Sequence, residues 1–280
     1  MQQVVVSQQT GYARNPSESA YPNLWRGLVG WWCPSINPRG GNRLFDLSPN
    51  RNHGTLTNMT NDDWVVSGGA GALDFDGSND LVSTDNGNRF GLGEQYAVSL
   101  WAYVKALPTS GNFSCLLCSY DVVTNVFGFD FRLYNNSGTQ QIGFTMGDGS
   151  LFAGGGDVNY TLTTNAWTSL VAVRNQGALN IWINGVSTLS ISNSKAIAAT
   201  QKALFFASFG SYTPSGGANL GRYFNGQLDD VRLYNRALTP PEIRQLASRR
   251  GIGLQPRPKQ FTYYQFPSGS KRRRILTGMT

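Results

Sequence analysis

The sequence is short of the residues from which catalytic sites and disulfide frameworks are usually built. Its 280 residues include one histidine, three cysteines and only 14% charged residues. No apolar run approaches the 18 residues that indicate a membrane-spanning helix. The first 15 residues have no basic start and only three apolar residues in a row, so we expect no secretory signal. These shortages argue against a disulfide framework, a helical membrane anchor and a secreted precursor.

The three cysteines are Cys33, Cys115 and Cys118. Cys115 and Cys118 have the CxxC spacing of redox and metal sites, but they lie in an apolar, strand-like run and not at the start of a helix. Free cysteine is commonly buried in proteins. We therefore predict buried free thiols, and redox or metal chemistry is the alternative.

Glycine and aromatic residues are abundant, with 33 glycines and 12% aromatics. This mixture favours many short strands joined by tight turns over helical bundles or disorder. Alternation of apolar and polar residues predicts roughly a dozen strands, and their spacing favours a sandwich or a barrel. The clearest strands are predicted at Tyr96–Lys105, Trp167–Arg174, Leu179–Ile183 and Val186–Ile191.

Two turns are indicated by their residue types. Asn184-Gly185 stands between two predicted strands and is the strongest hairpin signal in the chain. Ala72–Ser83 is expected to be a hairpin-like unit that turns at Gly77-Ser78-Asn79. The sequence therefore predicts antiparallel pairing at both places.

The stretch Asn225–Leu246 predicts the closing element of the β-domain. Gln227–Asn235 is expected to be a strand with one buried face, apart from a slip at Asp229–Asp230. A helix is expected next, with Thr239 as its N-cap, Pro240 at its first position, and Glu242 completing a capping box.

Positive charge is concentrated at the carboxyl end. Residues 1–248 carry 15 Lys and Arg against 16 Asp and Glu, whereas residues 249–280 carry eight Lys and Arg and no acid. Such asymmetry indicates an interaction tail. We therefore divide the chain into an extended N-terminal arm (1–26), a β-domain (27–248) and a basic, aromatic-containing tail (249–280).

Several segments in order resemble the laminin-G-like, concanavalin A-like lectin and glucanase jelly-roll family. They are Gly27–Trp32, Asp46–Leu56, Ala72–Asp80, Asn180–Val186 and Gly226–Leu238. The resemblance covers residues 27–248. It implies an all-β fold, a two-sheet antiparallel jelly-roll sandwich with one short C-terminal helix and extended termini.

Three segments are similar, more narrowly, to laminin-G-like structural proteins of tailed bacteriophages: Leu24–Pro34, Asn52–Met59 and Ser248–Gly253. This resemblance implies a non-enzymatic virion protein, either a capsid decoration or a tail or fibre component. Its partners would be neighbouring capsid or tail subunits, with a homo-oligomer in the assembly. It would lie on the virion surface after synthesis in the host cytoplasm. A carbohydrate-binding lectin module is the alternative, and a glycan hydrolase is a remote one.

Hydrolysis by the fold family's glucanase mechanism is not expected. Retaining glycosidases need two carboxyls about 5–5.5 Å apart. The resemblance implies that they stand as Glu-x-Asp-x-x-Glu on one strand, and Glu18, Glu94 and Glu242 do not form that motif. His53 lies in a polar loop, Asp74 and Asp76 share one strand face beside a turn and are expected to be solvated, and Gly154–Gly156 is not followed by the Lys of a phosphate loop. We predict no catalytic residue.

Calcium is the cofactor that the resemblance implies. Related jelly rolls hold a structural Ca²⁺ with an aspartate at the start of the last strand and carbonyl oxygens from a turn. Asp229 and Gly77 are the matching residues here. The alternatives for Asp229 are a salt bridge with an arginine and a hydrogen bond to the backbone of the turn.

Two further interaction sites follow from residue type. Sugar rings stack on aromatic side chains, but most large aromatics of a sandwich are core residues. No glycan-binding residue is therefore assigned among Trp64, Trp101, Tyr103, Trp167, Trp182, Tyr212 and Tyr223. The basic run Lys271, Arg272, Arg273 and Arg274 follows an aromatic cluster. We expect it to anchor the chain on neighbouring subunits, and nucleic-acid binding is the alternative.

Overall fold

The computed structural model describes residues 3–7, 11–36, 40–84, 90–121, 126–147, 154–192, 203–208 and 222–263. The chain forms two compact units. The sandwich unit is residues 27–250, and the terminal unit joins residues 1–26 with residues 251–280. The predicted anchoring residues Lys271–Arg274, and Tyr212, lie outside the described residues.

Eighteen strands are described. In chain order they are β1 Gln3–Ser7, β2 Leu28–Trp32, β3 Arg43–Leu44, β4 Gly54–Thr57, β5 Trp64–Ser67, β6 Ala70–Asp76, β7 Leu81–Thr84, β8 Gln95–Val104, β9 Phe113–Asp121, β10 Val126–Asn136, β11 Thr139–Met146, β12 Gly154–Asn159, β13 Trp167–Asn175, β14 Ala178–Ile183, β15 Val186–Ser192, β16 Leu204–Phe206, β17 Asn225–Tyr234 and β18 Lys259–Tyr263. One α-helix, α1, spans Pro240–Leu246. Short 3-10 helices lie at Pro22–Trp25, Pro34–Ile36, Asn61–Asp63 and Ile252–Leu254.

The sandwich unit consists of two antiparallel sheets, as predicted. Sheet A has the order β12-β11-β10-β9-β16-β7-β4-β3, and sheet B has the order β15-β14-β13-β8-β17-β6-β5, with β2 also paired to β17. Alternate residues of the strands bury their apolar side chains between the sheets. In the resulting core, the Phe129 ring stacks on the Phe144 ring at 5.5 Å, and the Phe131 ring lies edge-on to Phe144 at 5.4 Å.

Strand β17 is the central strand of sheet B. It pairs with β8, and on its other edge with β6 over Asn225–Leu228 and then with β2 over Val231–Tyr234. The predicted slip is a β-bulge at which Asp230 adopts a positive φ of 50°. The expectation of a single buried face is wrong. Asp230, Arg232 and Tyr234 are buried as well, because charged and aromatic partners cover them.

The predicted hairpin at Ala72–Ser83 is also wrong. Strand β6 pairs with β5 and β17 in sheet B, whereas β7 pairs with β4 and β16 in sheet A. The turn at Gly77 therefore carries the chain from one sheet to the other. Phe75 and Val82 then meet in the same core from opposite sheets, which satisfies the apolar pattern without direct pairing.

Other local predictions are confirmed. Asn184 and Gly185 both have positive φ, 50° and 77°, and connect β14 to β15 as a hairpin. At α1, the backbone N–H of Thr239 donates to the Glu242 carboxylate at 2.9 Å in a capping box. The three cysteines are free and buried. Among the described residues, no helix is both long enough and apolar enough to cross a membrane.

The terminal unit ties the two ends of the chain together. Backbone N–H groups of Ala13, Ala20 and Arg257 donate to the carbonyls of Leu254, Gln255 and Glu18 at 2.8, 2.9 and 2.6 Å, respectively. The hydroxyl of Ser19 and the indole N–H of Trp25 both donate to the Gly253 carbonyl. Strands β1 and β18 then form a separate two-stranded antiparallel sheet. Residues 1–26 and 251–280 thus share one unit.

Candidate functional site

Asp229, the predicted calcium ligand, lies fully buried on β17. Its Oδ1 accepts a hydrogen bond from the backbone N–H of Asp230 at 2.7 Å and contacts the Cys33 thiol at 3.6 Å. Its Oδ2 lies 3.4 Å from Nη1 of Arg250. Burial, together with the neighbouring Asp230 carboxylate, raises the pKa of Asp229 to about 7, and Arg250 opposes this rise. The carboxylate therefore already has a positively charged partner.

Arg250 reaches Asp229 from the end of the sandwich unit. Its guanidinium lies over the Trp167 ring at 3.9 Å, and its Nη2 donates to the Ser67 carbonyl. The arginine salt bridge, which the sequence left open as an alternative, is the interaction that the structure contains.

Gly77, the other predicted calcium ligand, lies at the far end of the same pair of strands. It follows β6 in the turn beside Asn225, which pairs with Asp76. Asn225 and Asp229 are four residues apart on β17, which corresponds to about 13 Å along a strand. The structure therefore does not bring Gly77 and Asp229 together. Within the described ranges, no three His, Cys, Asp or Glu side chains converge on a metal position, and calcium binding stays a prediction.

Next to Asp229, a buried ion pair lies on the outer face of sheet B. Nε and Nη2 of Arg232 donate to the two carboxylate oxygens of Asp230 at 2.8 and 3.0 Å. The indole N–H of Trp31 donates to the same carboxylate at 2.7 Å, and the guanidinium stacks on that indole at 4.2 Å. Trp31, Asp230 and Arg232 are all fully buried, so this network offers no surface for a ligand.

A second charged network lies on the outer face of sheet A and reaches the surface. Nη1 of Arg132 donates to both Asp130 oxygens at 3.1 Å, and its Nη2 contacts Asp157 at 3.2 Å. Asp130 is fully buried, and this burial raises its pKa to about 6 despite the opposing effect of Arg132. The Asp157 side chain remains 31% exposed. We name Asp130, Arg132 and Asp157 the sheet A network.

Aromatic and polar side chains surround the sheet A network. The Arg132 guanidinium lies 5.7 Å from the Phe113 ring and 5.9 Å from the Tyr134 ring. Arg222 also lies over the Phe113 ring, at 4.2 Å, and donates to the Asn112 side chain at 3.1 Å. Gly143 makes room for the network, because a Cβ there would meet the Asp157 carboxylate. Partly exposed rings beside fixed donors and acceptors are suited to a sugar ring.

Sequence reasoning missed the sheet A network. Its signal was present in β10, where Asp130 and Arg132 occupy alternate positions of an otherwise aromatic strand, FGFDFRLY. A charged residue at such a position indicates either a solvated face or an ion pair. The partner Asp157 lies two strands away, on β12, so local spacing could not reveal it.

The three glutamates and His53 have structural contacts. Glu18 accepts hydrogen bonds from Arg14 and Asn15, Glu94 pairs with Arg174, and Glu242 holds Thr239 and Arg236. His53 Nδ1 accepts a hydrogen bond from the Asp46 backbone N–H, and burial lowers the histidine pKa. The glutamates therefore cap turns and neutralise arginines.

Asp74 and Asp76 lie beside the Gly77 turn. Asp74 forms a 2.6 Å ion pair with Lys105, and Asp76 accepts hydrogen bonds from the backbone of Ser78 and Asn79. The aromatics considered for sugar stacking are partly buried wherever they are described. Trp101, for example, donates its indole N–H to the Leu246 carbonyl, and Tyr103 packs on Trp167 at 5.6 Å. Trp101, Tyr103 and Trp167 thus pack on sheet B, whereas Trp64 packs against the core.

The sheet order, the antiparallel pairing and the two packed faces define a lectin-type jelly-roll sandwich. The chain belongs to the concanavalin A-like lectin/glucanases superfamily, whose laminin G family model matches residues 76–244. This confirms the broader family resemblance, and the narrower bacteriophage resemblance stays a prediction. Among curated protein sequences, no match is found.

Similar solved structures agree with this fold. One is domain 4 of AbnA, a GH43 extracellular arabinanase from Geobacillus stearothermophilus, in complex with arabinotriose; it has 20% identity and a TM-score of 0.56 over 79% of this chain and 98% of that one. Another is the botulinum neurotoxin serotype D binding domain, with 15% identity and a TM-score of 0.59 over 80% and 52%.

The binding domain of botulinum neurotoxin DC in complex with SialylT is similar too, with 16% identity and a TM-score of 0.58 over 80% and 52%. The chain thus spans about half the length of these toxin domains. At such identities the likeness shows the fold alone.

Proposed function

We propose that the protein is a non-enzymatic structural component of a bacteriophage particle, either a capsid decoration or a tail or fibre protein. In this role the sandwich unit is displayed on the virion surface and the terminal unit attaches to neighbouring subunits. One observation carries the proposal: the two chain ends form a unit of their own, and that unit carries the excess positive charge.

The charge division is sharp when it is counted by unit. Residues 1–26 and 251–280 contain eight Lys and Arg and one Glu, a net charge of +7. Residues 27–250 contain 15 Lys and Arg and 15 Asp and Glu, a net charge of zero. A basic surface attracts acidic partners at long range. Attachment through the terminal unit leaves the neutral sandwich unit available for display.

A non-enzymatic role is supported by the contacts of the carboxylates. Asp130 and Asp157 lie near each other on sheet A, but both contact the same arginine, and Asp130 is fully buried. A general acid or nucleophile must reach the scissile bond. An assay for reducing-sugar release from β-glucans tests this point, and any release above that of the Asp157→Asn variant contradicts it.

The particle role is tested by mass spectrometry of purified virions. We expect the protein at a fixed copy number per particle after density-gradient purification and a high-salt wash. A matched variant with alanine at Lys271, Arg272, Arg273 and Arg274 should be expressed equally but recovered on fewer particles. Absence of the native protein from washed particles would contradict the proposal.

Glycan binding by the sandwich unit is the second candidate function. It is favoured by the exposed part of the sheet A network beside Phe113 and Tyr134, and by similar structures solved with arabinotriose and SialylT. Both functions are compatible, because a displayed domain can also bind a host surface.

A glycan array, probed with and without Ca²⁺, tests the second candidate. We expect binding to be lost in Tyr134→Ala and Asp157→Asn and kept in Val66→Ala, which changes an 84% exposed residue on β5, the edge strand of sheet B opposite β15. If no glycan is bound, or if all three variants behave alike, this function is excluded. If glycan binding required Ca²⁺ and the Asp229→Asn variant no longer showed this requirement, the calcium prediction for Asp229 would be supported.

A further inference from the structure

The two-stranded sheet of the terminal unit, which we name the terminal ribbon, has free edges. Strands β1 (Gln3–Ser7) and β18 (Lys259–Tyr263) pair over five residues each. Within the part of the chain that the structure describes, no third strand joins either of them. Every second backbone N–H and C=O of each strand faces its outer edge, and among the described residues these groups have no partner strand.

A ribbon of this size is not stable by itself in water. Isolated two-stranded sheets are at best marginal, and a third strand or a packed face is needed for independent stability. Each free edge is also a template for main-chain pairing with another chain. The terminal ribbon therefore combines a need for further strands with the geometry to accept them.

The charge of the terminal unit selects the kind of strand. With a net charge of +7, it attracts an acidic segment and repels a second copy of itself. Nucleic acid would satisfy the charge, but it offers no ladder of peptide N–H and C=O groups to a strand edge. Only an acidic polypeptide in extended conformation matches both properties.

We infer that the terminal ribbon binds an acidic partner protein by strand addition, so that a strand of the partner pairs with the free edge of β1 or β18. This inference rests on the proposed function, because it specifies how the terminal unit attaches to its neighbours. Main-chain hydrogen bonds hold the added strand, and its acidic side chains offset the net positive charge of the terminal unit.

The first test is site-specific photo-crosslinking of the full chain in infected cells. p-Benzoylphenylalanine replaces Val5 in β1 or Phe261 in β18, and it replaces Val66 as the matched control. Val66 is 84% exposed on β5, an edge strand of the sandwich unit. We expect ultraviolet light to link positions 5 or 261, and not position 66, to one partner segment of net negative charge. The yield of this link should fall as salt is raised.

The second test removes edge N–H groups with proline. Neighbouring residues of an antiparallel strand direct their N–H groups alternately toward the paired strand and away from it. In each pair of variants, Val4→Pro with Val5→Pro and Gln260→Pro with Phe261→Pro, one proline disrupts the terminal ribbon and the other removes a free-edge group. Hydrogen exchange of residues 3–7 and 259–263 identifies which variant keeps the ribbon.

The crosslinker is placed on one strand of the terminal ribbon, and the proline that keeps the ribbon intact is placed on the other. If the partner pairs with the strand that carries the proline, the crosslinking yield should fall about tenfold. Links to a second copy of this chain, links to nucleic acid, or yields unaffected by every ribbon-preserving proline would overturn strand addition. Equal yields at positions 5, 261 and 66 would do so as well.

The outcomes separate this inference from the proposed function. If washed particles contain the protein but the ribbon positions link to no acidic strand, the particle role stands and strand addition fails. If an acidic strand is linked with the expected proline effect but particles lack the protein, strand addition stands and the particle role fails.

Discussion

The two units of the chain use charged residues in opposite ways. In the sandwich unit, 15 basic and 15 acidic residues balance, and several form internal ion pairs, as Arg232 does with Asp230 and Arg132 does with Asp130 and Asp157. The terminal unit contains eight basic residues and one acidic residue, Glu18. The charges of the sandwich unit therefore cancel within that unit, whereas the terminal unit carries an excess of positive charge.

The units differ equally in how their strands are held. The strands of the sandwich unit lie in two broad sheets that share one buried core. The terminal unit contains one two-stranded ribbon and a network of hydrogen bonds that joins the chain ends. We therefore expect stability and attachment to depend on different parts of the chain. Variants can therefore break one property and leave the other measurable.

The largest expected effect comes from breaking the internal charge balance of the sandwich unit. Arg232→Met leaves the Asp230 carboxylate buried without its guanidinium partner, which should lower the free energy of unfolding by about 3–5 kcal/mol. Urea denaturation followed by tryptophan fluorescence measures this loss. The matched control is Lys105→Met, whose ion pair with Asp74 is partly exposed and should contribute about 0–1 kcal/mol. Similar losses of unfolding free energy in the two variants would contradict the prediction that the buried Arg232–Asp230 pair matters more than the exposed Lys105–Asp74 pair.

A second prediction concerns how the contribution of the buried Asp130 carboxylate to stability depends on pH. The pKa of Asp130 is raised to about 6 in the folded protein, above its value of about 4 in an unfolded chain. The folded state therefore binds this proton more tightly, and protonation favours folding. The contribution of Asp130 to stability should rise as pH falls from about 7 to about 4 and stay constant below that.

The Asp130→Asn variant tests this dependence, because asparagine does not titrate. The difference in unfolding free energy between native protein and variant should change across pH 4–7 in the stated direction. A difference that is flat, or that slopes the other way, would show that Asp130 is not buried as described.

A third and smaller effect on the free energy of unfolding is expected at the N-cap of α1. Thr239 begins α1 through a capping box with Glu242, which Arg236 also contacts at 2.7 Å. Thr239→Ala should lower the free energy of unfolding by about 1 kcal/mol, while Thr239→Ser should restore most of it, because serine keeps the hydroxyl acceptor. Thermal unfolding of both variants gives the comparison, and equal losses would argue against the cap.

Local pattern was sufficient to predict much of the sandwich unit. Strands β8 and β17, the Asn184-Gly185 hairpin and the α1 cap each depend on residues within about ten positions of one another. Sheet membership does not. The pattern at Ala72–Ser83 suits a hairpin and a sheet-to-sheet crossing equally, because both arrangements place Phe75 and Val82 in the core.

The candidate site was harder to predict because its partners are distant in sequence. Asp157 meets Arg132 across two strands, and Arg250 reaches Asp229 from the other end of α1. Pairing of the chain ends joins Gln3 to Tyr263, a separation that no local rule addresses. Charge composition nevertheless marked the tail as different, because net charge requires no knowledge of pairing.

The smallest expected effect on stability completes the comparison. Alanine at Lys271, Arg272, Arg273 and Arg274 lowers the net charge of the terminal unit from +7 to +3 and leaves the charge of the sandwich unit at zero. The unfolding free energy of the sandwich unit should stay within about 0.5 kcal/mol of the native value. Retention on washed particles should instead fall at a lower salt concentration, because fewer charges hold the terminal unit to an acidic partner. A loss of stability with retention unchanged would reverse the division of roles between the two units.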